Sequence, residues 1–496
     1  MIARVARRFG ASLGLCVASV LPPPAGAQPA RAPLARGALV ITNVTVVPMT
    51  ADTVLRGRTV LVRDGRIAAI SSAAAAIPAD ARRIDGSGKF LIPGLADMHT
   101  HLYSDDEVPD SLGKYEVGVL LANGITAARL MIGTPAQLTL RREIQAGHVL
   151  GPQLWSASPQ LTGRRDVNAR VVTTPEQARA AVTEVADAGY DFVKITNFIS
   201  SRPVYDAIMD EARRRRIRVD GHVDPAIGIP HALESGQHLQ HLDAYLEAAL
   251  ADSAPMRASV TQYDVFKLEN WRSLDYIDDR KLDALAGLTA RARAWVTPTL
   301  TIFNNAFAVE QTEDEIRARP DWALMPAKLR DRYLRARAQY WTDAAKAVRT
   351  PARRERYVAA RNRLTKAIVD SGGRILAGSD APEWFFGYGF TLHRELENLV
   401  RAGLTPYQAL VAATRNPAEF LGATSEWGTL EVGKRADFVL LRANPLEDIR
   451  NTTAIDAVAL GGRWLESSEL ERMVSLATRE LNPSAARGFE RHAGGR

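Results

Sequence analysis

The sequence predicts an α/β protein, a (β/α)8 TIM barrel with a second, smaller β-sandwich domain formed from both ends of the chain. Three observations carry that expectation. Apolar runs of four to six residues alternate with helical stretches through the middle of the chain, which is the texture of βα units around a parallel sheet. Eight such runs occur, near residues 92–98, 125–131, 153–158, 192–196, 217–222, 238–242, 295–301 and 374–379, and eight units favour a closed barrel over an open doubly wound sheet. Both ends read instead as short apolar runs broken by turns. A length of 496 residues accommodates a barrel and an accessory domain.

Taken in order, Arg4, Arg7 and Arg8 precede an apolar stretch from Phe9 to Leu21 and the small-residue pattern Ala25-Gly26-Ala27, which reads as a signal peptide over residues 1–27. The stretch is shorter than the roughly 20 residues that span a bilayer and ends at Pro22-Pro23-Pro24, so no stable membrane anchor is expected. Export follows, to the periplasm or outside the cell. Residues 28–92 hold the first part of the sandwich, with an apolar run from Gly37 to Pro48 and another from Arg58 to Ile70 that turns at Asp64-Gly65. The barrel occupies 93–427, with helical stretches such as Pro175 to Ala188 and Pro203 to Arg216 preceding strands. Residues 304–363 are too long for one connecting helix and read as a helical insertion, either a lid over the barrel mouth or an excursion packed on its side. Residues 428–496 complete the sandwich through Gly433 to Leu441 and Ala454 to Trp464, followed by a tail.

A hydrophobic fraction of 46% and a charged fraction of 24% fit a soluble globular chain rather than a disordered or membrane-embedded one. The net charge of +7 falls to about +4 without the three leader arginines, and Arg213 to Arg216 lack interleaved aromatics, so nucleic-acid binding is not expected. Cys16, the single cysteine, lies in the leader. Disulfides, thiolate ligands and a cysteine nucleophile are thereby excluded from the remaining chain, and any metal must be held by nitrogen and oxygen.

In such a barrel the reactive groups sit at the C-terminal ends of the strands, so polar residues directly after apolar runs are the candidates. In Leu91-Ile-Pro-Gly-Leu-Ala-Asp-Met-His-Thr-His101, alternate residues of a strand share a face, which lets His99 and His101 approach one cation. Lys194 ends the run Asp191-Phe-Val-Lys-Ile195, where an unpaired ammonium is costly. It is paired with an acid, neutral, or modified by carbon dioxide to a carbamate able to bridge two cations. His222 follows the run from Ile217. His238 and His241 fall on opposite faces of a strand, and His241 is assigned to the barrel axis, with His238 behind it or facing a helix. Ile375-Leu-Ala-Gly-Ser-Asp380 ends in a carboxylate that suits a metal and a proton; a helix cap is the other explanation of an aspartate after Gly-Ser.

As an ordered set, His-x-His, Lys, His, His and Asp on strands one, four, five, six and eight resemble the amidohydrolase superfamily in its binuclear branch with a carboxylated lysine. The resemblance runs from about residue 37 to 465 and includes LIPGLADMHTHL, ATRNPAEFLG, GTLEVGKRADFVLL and NPLEDI. It is most similar to the exported imidazolonepropionase-like and Xaa-Pro dipeptidase-like members. The resemblance implies that His99, His101 and Asp380 hold one divalent metal, that His222 and His241 hold the other, and that carboxylated Lys194 bridges them. Water between the metals is then the nucleophile, and Asp380 shuttles its proton to the leaving group. Zinc suits these donors, with manganese or cobalt able to take the same ones. Two features depart from the pattern. Gln240 stands before His241 where many relatives have glutamate, and the insertion before strand eight is long.

The expected activity is that of a hydrolase or peptidase cleaving an amide in a dipeptide or N-acyl amino acid. An ester or lactone hydrolase would use the same metals. Imidazolonepropionase activity fits less well, because that branch lacks a bridging lysine, and a non-catalytic metal-binding periplasmic protein would have no use for Asp380 as proton acceptor. The expected partners are a small-molecule substrate and further copies of the chain in a homo-oligomer. Tyr103, Tyr245, Trp384 within Glu383-Trp384-Phe385-Phe386, and His393 follow ligand-bearing strands and are the substrate-facing candidates, whereas His148 and His231 are assigned to the surface.

Overall fold

Eight parallel strands carry the fold of the computed structural model, which describes residues 37–72, 78–103, 110–166, 168–255 and 264–482; the expected leader, residues 1–27, lies outside them. Strands β1 (Leu95–Thr100), β2 (Ile125–Leu130) and β3 (Gln153–Ser156) pair in that order in one sheet. Strands β4 (Phe192–Ile195), β5 (Arg218–Gly221), β6 (His238–Gln240), β7 (Trp295–Thr297) and β8 (Arg374–Ile375) pair in that order in a second, which Gln160–Thr162 and Ala169–Val171 extend beside β4. Residues of β1 to β4 are buried throughout, which is why these segments read as continuous apolar runs rather than alternating ones. The two sheets meet at two seams. At one, Ala157 bridges Phe192 in parallel; at the other, Thr100 bridges Ala381, and Met98 N donates to Ala377 O at 2.9 Å while Asp380 N donates to His99 O at 2.6 Å. Asp97 reinforces the second seam, its carboxylate accepting from Ser379 N at 2.9 Å and Ser379 Oγ at 2.6 Å.

The first strand begins at Leu95, not at 92, because Phe90–Pro93 belongs elsewhere: it pairs antiparallel with Phe438–Leu441 and parallel with Ala38–Val46. That pairing joins the two ends of the chain edge to edge. The result is one continuously hydrogen-bonded eight-stranded sheet that also holds Leu55–Arg63, Arg66–Ser71, Arg82–Asp85, Ile455–Leu460 and Arg463–Glu466. One of its faces gathers Ile41, Val60, Val62, Phe438, Leu440 and Ala459 into a separate apolar cluster. Beyond it, residues expected as a tail form a helix, Ser467–Leu481, whose apolar stripe packs on the helix Gly113–Ala122.

The insertion is helical, with Ala327–Tyr340, Asp343–Val348 and Pro351–Asp370 as its longer pieces. Of these, Ala327–Tyr340 lies at the C-terminal ends of the strands and supplies Leu329, Arg332 and Tyr333 to the cavity found there.

Candidate metal centre

All six sequence-predicted ligands line one cavity of about 350 Å³. His99 stands on β1 and Lys194 on β4, while His101, His222, His241 and Asp380 follow the ends of β1, β5, β6 and β8. The ring of His99 lies 5.2 Å from that of His101 and 4.5 Å from that of His241, and His241 stacks on His222 at 4.7 Å. Asp380 Oδ1 is 3.1 Å from Nε2 of both His99 and His101, and its Oδ2 is 3.6 Å from His241 Nδ1. His241 and Asp380 both adopt left-handed backbone, with φ of 58° and 54°. Such strain in a non-glycine residue persists where the surroundings hold it, and here it accompanies two side chains turned to the cavity.

Hydrogen bonds behind the imidazoles fix which nitrogen carries the proton. Gln240 Nε2 donates to Asp220 Oδ1 at 2.5 Å, which orients the amide so that its Oε1 accepts from His99 Nδ1 at 2.6 Å. The Thr299 hydroxyl donates to Pro298 O at 2.9 Å and so accepts from His241 Nδ1 at 2.7 Å. His222 Nδ1 donates to the Asp243 carboxylate. Each ring therefore keeps a lone pair on Nε2. For His99 that lone pair faces Asp380 Oδ1, acceptor against acceptor, and Asp380 Oδ2 has no hydrogen-bond partner. Donor atoms of His99, His241 and Asp380 all lie within 4.8 Å of one another. This set of nitrogen and oxygen donors fits a divalent cation.

The electrostatics agree. Burial pushes His99 down to about 3 and lowers His222 and His241 as well, which keeps these imidazoles neutral as ligands must be. Burial alone would raise the Asp380 carboxyl, and the hydrogen bond to His101 Nε2 acts against that rise. Burial lowers the Lys194 amine to about 8 against the opposing pull of Asp220 and Asp380. Beneath the ligands, the fully buried Arg129 pairs with Asp220 and donates to Thr297 Oγ1 at 3.1 Å, so its charge is compensated inside the strands.

Of the substrate-facing candidates, Tyr103 lines the cavity and three others do not. Tyr245 is fully buried, with its hydroxyl 2.6 Å from Thr289 Oγ1 on the helix Asp279–Arg291. Trp384 is held in an aromatic cluster with Phe266, Phe307 and Tyr333. His393 points from the helix Phe390–Arg401 toward Thr452, away from the cavity. His238 turns away from the axis, accepting from Trp295 N at 3.3 Å, and His148 and His231 pair with Glu143 and Asp206 outside the site. Of the cluster Glu383-Trp384-Phe385-Phe386, Glu383 lines the cavity; sequence reasoning passed over Arg129, Asp220, Asp243, Arg332 and Tyr333. A signal existed for Arg129, a charge inside an otherwise apolar strand run.

The amidohydrolase family profile matches residues 90–465. Among curated proteins, the chain is 23% identical to an adenine deaminase of Moorella thermoacetica over 449 residues, covering 88% of this chain and 61% of that protein. It is 25% identical to an imidazolonepropionase of Cupriavidus pinatubonensis over 260 residues, 40% of this chain and 61% of that one. The chain thus spans less than two thirds of the length of these relatives. Among solved structures, a bottromycin amidohydrolase superposes with a TM-score of 0.69 at 25% identity, covering 91% of this chain and 93% of that chain. A Xaa-Pro dipeptidase with bound methionine shares the fold, with a TM-score of 0.60 at 19% identity over 87% of this chain and all of that one.

Proposed function

The chain belongs to the amidohydrolase family, whose members are hydrolases of C–N bonds, and from that premise we propose that it cleaves the amide of a dipeptide or an N-acyl amino acid. The observation that supports this best is the convergence of Lys194, Asp380 and four histidines on one cavity, with His99 Nε2 3.1 Å from Asp380 Oδ1 and Asp380 Oδ2 without a hydrogen bond. His99, His101 and Asp380 would hold one divalent ion, His222 and His241 a second, with Lys194 shared between them as a carbamate. In forming it, the neutral Lys194 amine adds to the carbon of carbon dioxide, an N–C bond forms and a proton leaves to solvent. Divalent ions supply Lewis acidity toward a scissile carbonyl and lower the pKa of water. Asp380 accepts a proton from the attacking water and returns it to the leaving nitrogen. Arg332, on the cavity wall, offers a guanidinium to the carboxylate that both substrate types carry.

The eight parallel strands are read as a closed barrel, supported by the backbone bridges at both seams. Export with removal of residues 1–27 and assembly as a homo-oligomer belong to the same reading, checked by N-terminal sequencing and light scattering of the protein recovered from its native compartment.

The deciding experiment is elemental analysis of the purified protein beside Lys194→Ala, with turnover of a panel of dipeptides, N-acyl amino acids and lactones. About two metals per chain, falling in the variant together with amide hydrolysis, is the expected result. Wild-type metal content and turnover in Lys194→Ala would sink the bridging assignment, and a panel in which only lactones turn over would replace the amide with an ester.

A further inference from the structure

We propose that Glu383 anchors a protonated α-amino group and thereby selects unprotected dipeptides among the amide substrates of this cavity, an inference that rests on the amide-hydrolase reading above. Glu383 follows Asp380 by three residues and lines the same cavity. Its Oε2 accepts from the Tyr333 hydroxyl at 3.0 Å, and no other hydrogen bond to its carboxylate forms among the described residues. The Tyr333 ring stacks on Trp384 at 6.1 Å and meets Phe385 edge-on at 5.6 Å, so the donor that orients the carboxylate is itself fixed by packing. Oε1 is left as an acceptor on the half-buried cavity wall.

A carboxylate so placed favours a cationic donor, because charge-assisted hydrogen bonds are roughly twice as strong as neutral ones and are screened less away from water. The two substrate types differ at this end. A dipeptide carries an ammonium for Glu383 and a carboxylate for Arg332, both of which line the cavity. An N-acyl amino acid carries only the carboxylate and brings no cation to Glu383.

The test compares one scissile bond in two forms, a free dipeptide and its N-acetylated counterpart, on metal-loaded wild type and Glu383→Gln. Glutamine keeps an oxygen for the Tyr333 hydroxyl, so the wall is preserved while the charge is lost. The expected result is a loss of about tenfold or more in kcat/KM for the free dipeptide, carried by KM, against less than twofold for the acetylated form. Equal losses on both, or no loss on the free form, would overturn the proposal. A ketomethylene isostere of the dipeptide, free and N-acetylated, titrated calorimetrically, gives the same comparison without turnover. Binding that weakens tenfold in Glu383→Gln for the free isostere alone, in a protein that hydrolyses no amide, would retain the amino-group site and discard the amide reading. Amide turnover with no dependence on Glu383 would do the reverse.

Discussion

His222 faces the cavity through Nε2 because its other nitrogen is engaged by Asp243. The carboxylate does two things there: it selects the tautomer, and it makes the imidazole a stronger donor. Asp243→Asn keeps the shape and removes the charge, and its amide nitrogen is free to face the ring and favour the wrong tautomer. We expect the variant to bind metal about 10- to 100-fold more weakly in chelator competition, with its thermal stability in the metal-free state nearly unchanged. Unaltered affinity would mean that His222 is not a ligand. His99 has an uncharged support instead, since Gln240 passes the field of Asp220 through an amide. At this scale the six residues that line the cavity were legible in the sequence because each is a polar residue ending an apolar run. Their supports were less so, because Asp220 and Arg129 meet only across the interior of the strands. Among aromatic side chains in the loops, Tyr103 was legible and Tyr245 and Trp384 were not. Left-handed residues at Leu242 and Ala244, with φ of 58° and 60°, swing Tyr245 back into the core, a reversal that no local pattern announces.

Among the elements, the seam between β1 and the segment after β8 leaves no room for a side chain at Gly378. Leu376 and Ala377 donate separately to Val296 O and to Ala412 O, so β8 is a ladder for only two residues even though its apolar run is longer. This is why eight strands could be counted from apolar runs while the lengths of the last two were overestimated. Gly378 sits where the chain passes His99. A Cβ there would lie 2.5 Å from Thr297 Cγ2, 2.7 Å from His99 Cβ and 2.9 Å from His99 N. Two of these are atoms of β1 that cannot rotate away, so Gly378→Ala must displace either strand. The expected cost is about 1–3 kcal/mol in denaturant unfolding, with a loss of metal content because the displaced residue is His99. Full metal content at wild-type stability would show that the seam yields. The insertion was legible as helical but not as a wall of the cavity, because the side on which Ala327–Tyr340 docks depends on contacts such as that of Tyr333 with Glu383, fifty residues further along the chain.

At the scale of the molecule, the barrel and the second sheet share chain connections at Phe90–Pro93 and again beyond the helix Arg415–Phe420, and polar side chains join them elsewhere. His393 is one such link. It lies on the helix Phe390–Arg401 and reaches Thr452 in the turn Ile449–Thr453 that precedes the sheet strand Ile455–Leu460. The Thr452 hydroxyl already donates to Ile449 O at 2.9 Å, so His393 Nδ1 donates to Thr452 at 3.0 Å and the ring is held neutral. Burial pushes His393 from 6.5 down to about 4, with the neighbouring Arg394 acting in the same direction. A histidine with a depressed folded pKa adds stability above its unfolded pKa and loses it as pH falls toward the folded value, because the unfolded chain then binds the extra proton. Between pH 7 and pH 5 this amounts to about 2 kcal/mol for one such group. His393→Asn retains a donor for Thr452 and cannot titrate. In urea unfolding of the metal-free protein, wild type should therefore lose about 2 kcal/mol more than His393→Asn on going from pH 7 to pH 5. A parallel decline of the two proteins would show that His393 opens to solvent before the domains unfold, and that the contact with Thr452 does not hold the sheet to the barrel.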